Sequence, residues 1–390
     1  MTTQKGIWGA APSLRYEELA ERFRPLFRNI RDGAVQRKRD RALSFDQIRW
    51  LNDAGFDAIR VPKKYGGYGA TLPELFALLA ELAEADSNLT QALRVHFAYN
   101  EDVLNSQNEA HRDRWFTRIM GGDLVGGAWT EIGDAKMAAF STRVSRTDGR
   151  LTLNRTKYYT TGSIFADWIQ VGAVNDVDEA VSAVVAAKAP GVNIVDDLDG
   201  FGQKLTASGT TTFSSVPVQP EHVVSGDLRF CYSPAFLQQV HHATIIGIVR
   251  AASADAARAV AERRRTYSHA AGPRSSADPQ VLEVVGRVHS LTYAAGAVML
   301  KAAEALQRSF DQKAAGETKG RRISPPKSRS PKRKRRSPRW CSRRRRRCST
   351  RLAPRPPANR KALIATGATH VPSPLTIPVY VRTALSASLS

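Results

Sequence analysis

From Thr318 to the last residue the sequence has no Asp and no Glu, while twenty-one Lys and Arg crowd the same stretch. Setting those aside from the fifty-eight in the chain leaves thirty-seven basic residues against all thirty-six acidic ones. The formal charge of +22 therefore sits in the tail, and the body up to Glu317 carries about +1, as an ordinary globular protein does. Cysteine is scarce too: only Cys231 lies in the body, with Cys341 and Cys348 in the tail. That excludes a disulfide framework and fits a reducing cytosol. No apolar run reaches the roughly 18 residues a membrane span needs, and the opening "MTTQKGIWGAAPSLRYEELAERF" lacks the apolar core of a secretory leader. The expected location is the cytoplasm, with no membrane contact. The body's length allows two or three domains with a sizeable core.

What is present divides the body into three texts. From about Leu14 to Gly121 the apolar spacing is helical. "FDQIRWLNDAGF" opens after Ser44, a candidate N-cap, and Gly55 sits where that helix would stop. "LPELFALLAELAEAD" has Pro73 in its first turn and apolar residues around most of its circumference, which predicts burial inside a bundle. Between these two, the paired glycines of "IRVPKKYGGYGA" make a turn. From about Gly126 the pattern becomes strand-like, in "TRVSRTDGRLTLNRTKYYTTG", "DWIQVGAVN", "AVSAVVAAKA" and "TTTFSSVPVQP", with Thr147-Asp148-Gly149 as a hairpin turn. Two long helical runs then begin at Ser233; helices of around thirty residues usually pack as bundles. The expected division is a helical domain over 1–125, a β-barrel-like domain over 126–232, a helical bundle over 233–316 and a basic low-complexity tail over 317–390.

This order of domains, α+β overall, resembles the acyl-CoA dehydrogenase family, and four stretches carry the likeness over about 300 residues. "VPKKYGGYGA" is similar to the family's P-x-x-x-G-G-x-G turn, and "GAWTE" to its T-E flavin loop. "LNRTKYYTTGSIFADW" resembles the G-x-K-x-x-(T/S) strand followed by A-D, and "LTASGTTTFSSVPV" the T-x-S-x-x-x-x-F-x-x-V-x-V strand. Three departures resemble its flavin-dependent monooxygenase branch, the dibenzothiophene-oxidising and sulfur-acquisition type. "IGDAKMAAFST" replaces the G-S-D continuation, Tyr159-Thr160-Thr161 followed by Gly162 replaces W-I-T, and "RVHFAYN" places His96 near the expected flavin face.

The resemblance implies a reduced flavin, FMN with FAD as the alternative, reacting with molecular oxygen and a small organic substrate. It also implies a reductase supplying that flavin and a homotetramer. Oxygen activation on a flavin needs a pocket that excludes water and a hydrogen-bond donor beside the ring. On that reading Thr161 supplies a hydroxyl near the flavin, and His96 donates to the bound oxygen or takes a substrate proton near neutral pH. Trp129 and Thr130 contact the ring edge with Gly162 beside them, and Arg263 reaches the flavin phosphate of a neighbouring subunit. Each has a plainer alternative: His96 as a hydrogen-bonded packing residue, Thr161 as β surface, Trp129 as core, and Arg263 within a solvated "ERRR" helix end. His241 and His242 read as bundle residues, because no partner stands at metal-ligand spacing.

The tail fits none of this as written. The family's chain continues with two Ala- and Glu-rich helices and a segment resembling "LFDALG". The monooxygenase branch then ends in a signature resembling "DRHWRNARTH". Shifted by one base, the codons for Ala362–Pro372 admit x-Asp-Arg-His-Trp-Arg-Asn-Ala-Arg-Thr, and those for "RRRRRCSTRLAP" admit an Ala-rich run ending Phe-Asp-Ala-Leu-Gly-Ala. The tail therefore reads as a frameshifted C-terminus, and a chain ending this way is expected to be impaired in assembly and flavin retention. The alternative is a nucleic-acid-binding arm; with five consecutive Arg it would bind phosphate backbones nonspecifically in either case.

Overall fold

The computed structural model describes residues 12–132, 140–147, 149–225, 230–265, 268 and 270–314. Seven helices come first: α1 (Leu14–Asp32), α2 (Ala34–Asp40), α3 (Phe45–Asp53), α4 (Leu72–Ala85), α5 (Ser87–Ala92), α6 (Arg94–Leu104) and α7 (Glu109–Met120). The start of α4 is fixed by a capping box, in which Thr71 N–H donates to Glu74 Oε2 at 2.7 Å and Glu74 N–H to Thr71 Oγ1 at 3.4 Å. Nearly all of α4 is buried, as its all-round apolar pattern requires. Ser44 does precede α3, but its hydroxyl is buried without a partner and forms no capping bond.

Eight strands follow: β1 (Val125–Ala128), β2 (Arg143–Thr147), β3 (Arg150–Lys157), β4 (Trp168–Val174), β5 (Ala180–Ala186), β6 (Val192–Val195), β7 (Thr210–Val218) and β8 (Val223–Ser225). The hairpin expected at 147–149 joins β2 to β3 through the pair Thr147↔Arg150. The sheet runs β6-β7-β3-β2-β4-β5-β8, and β1 pairs with β4 in parallel. Among the described residues the ladder ends at β6 and β8. Its halves are joined at β2–β4 by the single pair Arg143↔Val174. A register slip between Leu153 and Arg155 bends β3, so the halves fold over one core of Leu153, Phe213 and Val216 against Ile169, Val171 and Val185.

Two long helices close the described chain, α8 (Ser233–Glu262) and α9 (Pro279–Ala314). They pack on each other and on α4, so the helices before and after the sheet share one apolar core: Leu75, Phe76 and Leu79 meet Phe236, Val240, Ala243 and Met299. A buried polar knot fastens the same junction. Glu101 accepts from Arg60 Nε at 2.6 Å and from the Tyr232 hydroxyl at 2.5 Å, and Asn105 Nδ2 donates to that hydroxyl at 3.1 Å. Helix α9 leaves apolar side chains exposed on two sides, Leu282 and Tyr293 on one and Leu291 and Val298 on the other. Cys231 is an exposed free thiol. Residues 133–139, within "IGDAKMAAFST", and the segment 317–390 with its basic runs lie outside the described residues.

Candidate functional site

A cleft of about 300 Å³ opens where the first turns of α6 face the end of β1 and the start of α8. Helix α6 contributes Arg94, Val95 and Ala98, the β1 edge Gly127, Trp129 and Thr130, and α8 Leu237. The segment after β3 completes the wall with Tyr159 and Thr161. The close passage of β1 over α6 requires Gly127, because a Cβ there would stand 2.7 Å from Val95 Cγ2. A larger cavity of about 640 Å³ faces the C-terminal half of α6, with Asp102, Arg114, Gln170 and Lys313 in its wall, and contains none of the expected residues.

The Thr161 hydroxyl heads a chain of hydrogen bonds whose proton order follows from counting donors. Thr206 Oγ1 donates to the Gln203 carbonyl at 2.9 Å, so its partner at 2.7 Å, Ser208 Oγ, must donate to it. The Thr161 hydroxyl reaches Ser208 Oγ at 2.8 Å and also donates to the Tyr159 carbonyl at 3.3 Å, so its proton is held within the wall. Thr161 Oγ1 then turns lone pairs toward the cleft.

Tyr159 and Gly162 show how this wall is built. Gly162 has φ of +77°, and a Cβ on it would meet the Ala92 carbonyl oxygen at 2.2 Å. Its N–H is taken by the Thr206 and Ala207 carbonyls at 3.1 and 3.2 Å. It therefore sits behind the cleft and lets the chain press on α5. Tyr159 is held at φ of +54° with its ring 48% exposed on the rim. For a bulky residue that conformation is costly and clusters at binding sites. The sequence placed Tyr159 in the Tyr-Thr-Thr triplet without giving it a role; the aromatic preceding the hydroxyl residue was the available signal.

Trp129 lies in the wall, its ring centroid 6.0 Å from that of Phe140. The Thr130 carbonyl accepts from Tyr158 N–H at 2.9 Å, so that oxygen is committed to the fold. The next residue, Glu131, accepts from the backbone N–H groups and hydroxyls of Ser141 and Thr142 and from Lys157 Nζ. Burial works against its charge, but these donors prevail and hold the carboxyl well below the usual carboxylate range. Lys157, wholly buried, is pulled below its ordinary value by burial even beside Glu131.

His96 is corrected as a catalytic candidate. Its Nδ1 accepts from Val125 N–H at 3.2 Å and its Nε2 donates to the Asp57 carbonyl at 3.1 Å, which fixes the neutral tautomer. The ring is 1% exposed, and burial lowers its pKa to about 4. It ties α6 to β1 and to the turn after α3, with no nitrogen left for a ligand. Arg263, exposed at the C-cap of α8, is 26 residues beyond Leu237, roughly 39 Å along the helix. It therefore takes no part in this chain's own cleft.

Two residues passed over in the sequence come together instead. Arg94 lines the cleft, and among the described residues no carboxylate pairs with it; its Nε is buried without an acceptor. Burial alone lowers its pKa to about 10. His241, one turn beyond Leu237 on the same face of α8, is brought to about 4 by burial and then by the charge of Arg94. His242 pairs with Gln239 Oε1 at 3.2 Å. Among the described residues no cluster of His, Cys, Asp and Glu is placed to hold a metal, and no helix is long and apolar enough to cross a membrane.

Residues 16–123 match the acyl-CoA dehydrogenase N-terminal domain. The chain is 26% identical over 307 residues to dibenzothiophene monooxygenase of Rhodococcus erythropolis, covering 74% of this chain and 73% of that one. It is 24% identical over 243 residues, 60% of each chain, to the probable FMNH2-dependent monooxygenase SfnC of Pseudomonas putida. The solved structure of FMN-bound TdsC from Paenibacillus sp. A11-2 shares the fold, with a TM-score of 0.70 at 23% identity over 79% of both chains.

Proposed function

We propose, from an N-terminal segment that matches the acyl-CoA dehydrogenase N-terminal domain and a fold shared with TdsC, that the chain is a flavin-dependent monooxygenase of that family. Its cofactor on this reading is reduced FMN, with FAD as the alternative, and its substrates are molecular oxygen and a small organosulfur compound, as the similar enzymes suggest. The observation that carries the reading is the wall of the cleft: a strained rim aromatic, Tyr159, beside a hydroxyl, Thr161, ordered to accept. That wall fits a flat aromatic ring system with an N–H on its edge, as a flavin has. When bound, the flavin supplies the two electrons that activate oxygen.

The chain's own residues do the rest. Val95, Ala98, Leu237 and Trp129 exclude water from the reacting atoms. Thr161 Oγ1 holds the proton of a ring N–H, and its bond to Ser208 fixes its direction. Tyr159 and Trp129 would hold the ring by aromatic contact. Acyl-CoA dehydrogenation is the weaker reading, because it needs a base for the substrate's α-proton and no carboxylate lines the cleft among the described residues.

Around this core stand a partner reductase, a homotetramer in which Arg263 serves a neighbouring subunit's flavin phosphate, and work in the cytoplasm, which the unpaired Cys231 thiol suits. The division at about residues 125, 232 and 316 belongs to the same reading, as does nonspecific nucleic-acid association through the tail.

The test supplies the full chain with a flavin reductase, NADH, isotopically labelled oxygen and a panel of organosulfides. Label should enter the product in the wild type and in Thr161→Ser, while Thr161→Val consumes oxygen mostly as free peroxide. Oxidation of an acyl-CoA with no label incorporated would replace this reading with the dehydrogenase one.

A further inference from the structure

Arg94 is the one cationic side chain in the cleft wall among the described residues, and nothing in the fold neutralises it. A guanidinium so placed has lost part of its hydration, and an uncompensated charge of this kind is costly unless an anion completes it. Its surroundings do not compensate: Val95, Ala98 and Leu237 are apolar, and His241 is neutral near pH 7. Arg94 also opens α6, where the positive end of the helix dipole adds to its potential. Every other arginine buried to this degree for which a partner is given is paired: Arg60 with Glu101 at 2.6 Å, Arg37 with Asp86 at 2.9 Å and Arg250 with Glu84 at 2.9 Å. Arg94 has no such partner, and it is the arginine that faces this cleft.

We propose that Arg94 recognises an anionic group on the substrate, so that the substrate class is a small organic anion, a sulfonate, sulfinate or carboxylate on an apolar body. This rests on the monooxygenase reading for what happens next, but not for the binding itself. The guanidinium fork takes two oxygens of such a group, while Val95, Ala98, Leu237 and Trp129 take its hydrocarbon part. The cleft's volume of about 300 Å³ limits that part to a small body beside the flavin ring. The same fork would also suit a flavin phosphate, so the two sources of anion must be separated by experiment.

The experiment is calorimetric titration of the full chain, with and without FMN, using benzenesulfonate and its neutral isostere methyl phenyl sulfone. The wild type should prefer the sulfonate roughly tenfold or more, the range expected of a charge-assisted pair. Arg94→Met should abolish the preference without changing sulfone binding, and Arg94→Lys should restore part of it. A second arm compares FMN with riboflavin; the ratio of their affinities should be the same in wild type and Arg94→Met. Equal binding of sulfonate and sulfone by the wild type, or an unchanged preference in Arg94→Met, overturns the proposal. So does a collapse of the FMN-to-riboflavin ratio, which would assign Arg94 to the flavin phosphate. Absence of any FMN effect would count against the flavin reading alone and leave the anion comparison intact.

Discussion

Lys157 Nζ lies 2.6 Å from Glu131 Oε1, with the lysine side chain wholly buried and the glutamate nearly so. The carboxylate also gathers Ser141 and Thr142, so the pair pins the chain that re-enters after β1 onto the end of β3, next to the cleft. Glu131→Ala strands a buried ammonium and should cost about 3–5 kcal/mol. Lys157→Met leaves the carboxylate with its other donors and should cost clearly less. Denaturant unfolding of both variants and of the double variant checks this; the double variant should be more stable than Glu131→Ala alone. Because the Glu131 pKa is depressed in the folded state, its contribution is full above the unfolded value near 4.3 and fades only as pH falls below it.

His96 gives a pH dependence of a different kind. Its folded pKa of about 4 lies below the unfolded value near 6.5, so the unfolded chain binds the extra proton between those values. The neutral ring's contribution is present above pH 6.5 and declines on acidification, by on the order of 3 kcal/mol at pH 4. Nuclear magnetic resonance should find the His96 ring untitrated between pH 5.5 and 8. An activity profile of any working form should keep its pH limbs in His96→Asn, with the loss appearing in stability. A limb that vanishes with His96 would restore it to the chemistry.

Gly162→Ala places a methyl group 2.2 Å from the Ala92 carbonyl oxygen at a φ that disfavours side chains. A loss of about 1–3 kcal/mol is expected, together with weaker flavin binding, since the displaced segment carries Tyr159 and Thr161. Thermal unfolding and flavin titration of the one variant measure both effects.

The exposed apolar side chains of α9, Leu282, Leu291, Tyr293 and Val298, bear on the expectation of a shifted reading register. Leu291 and Val298 lie on one side of this helix and Leu282 and Tyr293 on the other, and exposed apolar residues in such number are usually covered. The encoding DNA around codons 313–325, read one base out of register, should specify two further helices and the "HWRNAR" segment without early stops. A protein made in that register should bind less of an apolar dye, run as a discrete tetramer and hold flavin more tightly than the 390-residue chain. Stop codons scattered through that register would remove the idea. In the 390-residue chain, Leu291→Lys with Val298→Lys should reduce self-association and leave its unfolding temperature almost unchanged.

How much of this could be read from sequence depended on whether the signal was local. The burial of α4 and the hairpin at 147–150 follow from short patterns, and the resemblance pointed to Trp129 and Thr161, which line the cleft. Other features come from distant pieces of chain. His96 was misjudged because its partners are the Asp57 carbonyl and the Val125 amide, backbone groups that leave no mark on residue identity. Arg94 and His241 stand more than 140 positions apart and meet only because α6 and α8 pack side by side. The acceptor role of Thr161 depends on proton order through Ser208 and Thr206, which no spacing encodes.

The most direct measurement is equilibrium titration of the full chain with reduced FMN under anaerobic conditions, followed by flavin fluorescence, for the wild type, Trp129→Ala and Tyr159→Ala. The account predicts saturable binding by the wild type, tighter for reduced than for oxidised FMN because reduction adds a second ring N–H, at N5, for Thr161 to accept, and a marked weakening in both variants. Binding with no preference between the two redox forms, unchanged in Trp129→Ala and Tyr159→Ala, would contradict the assignment of this cleft to a flavin.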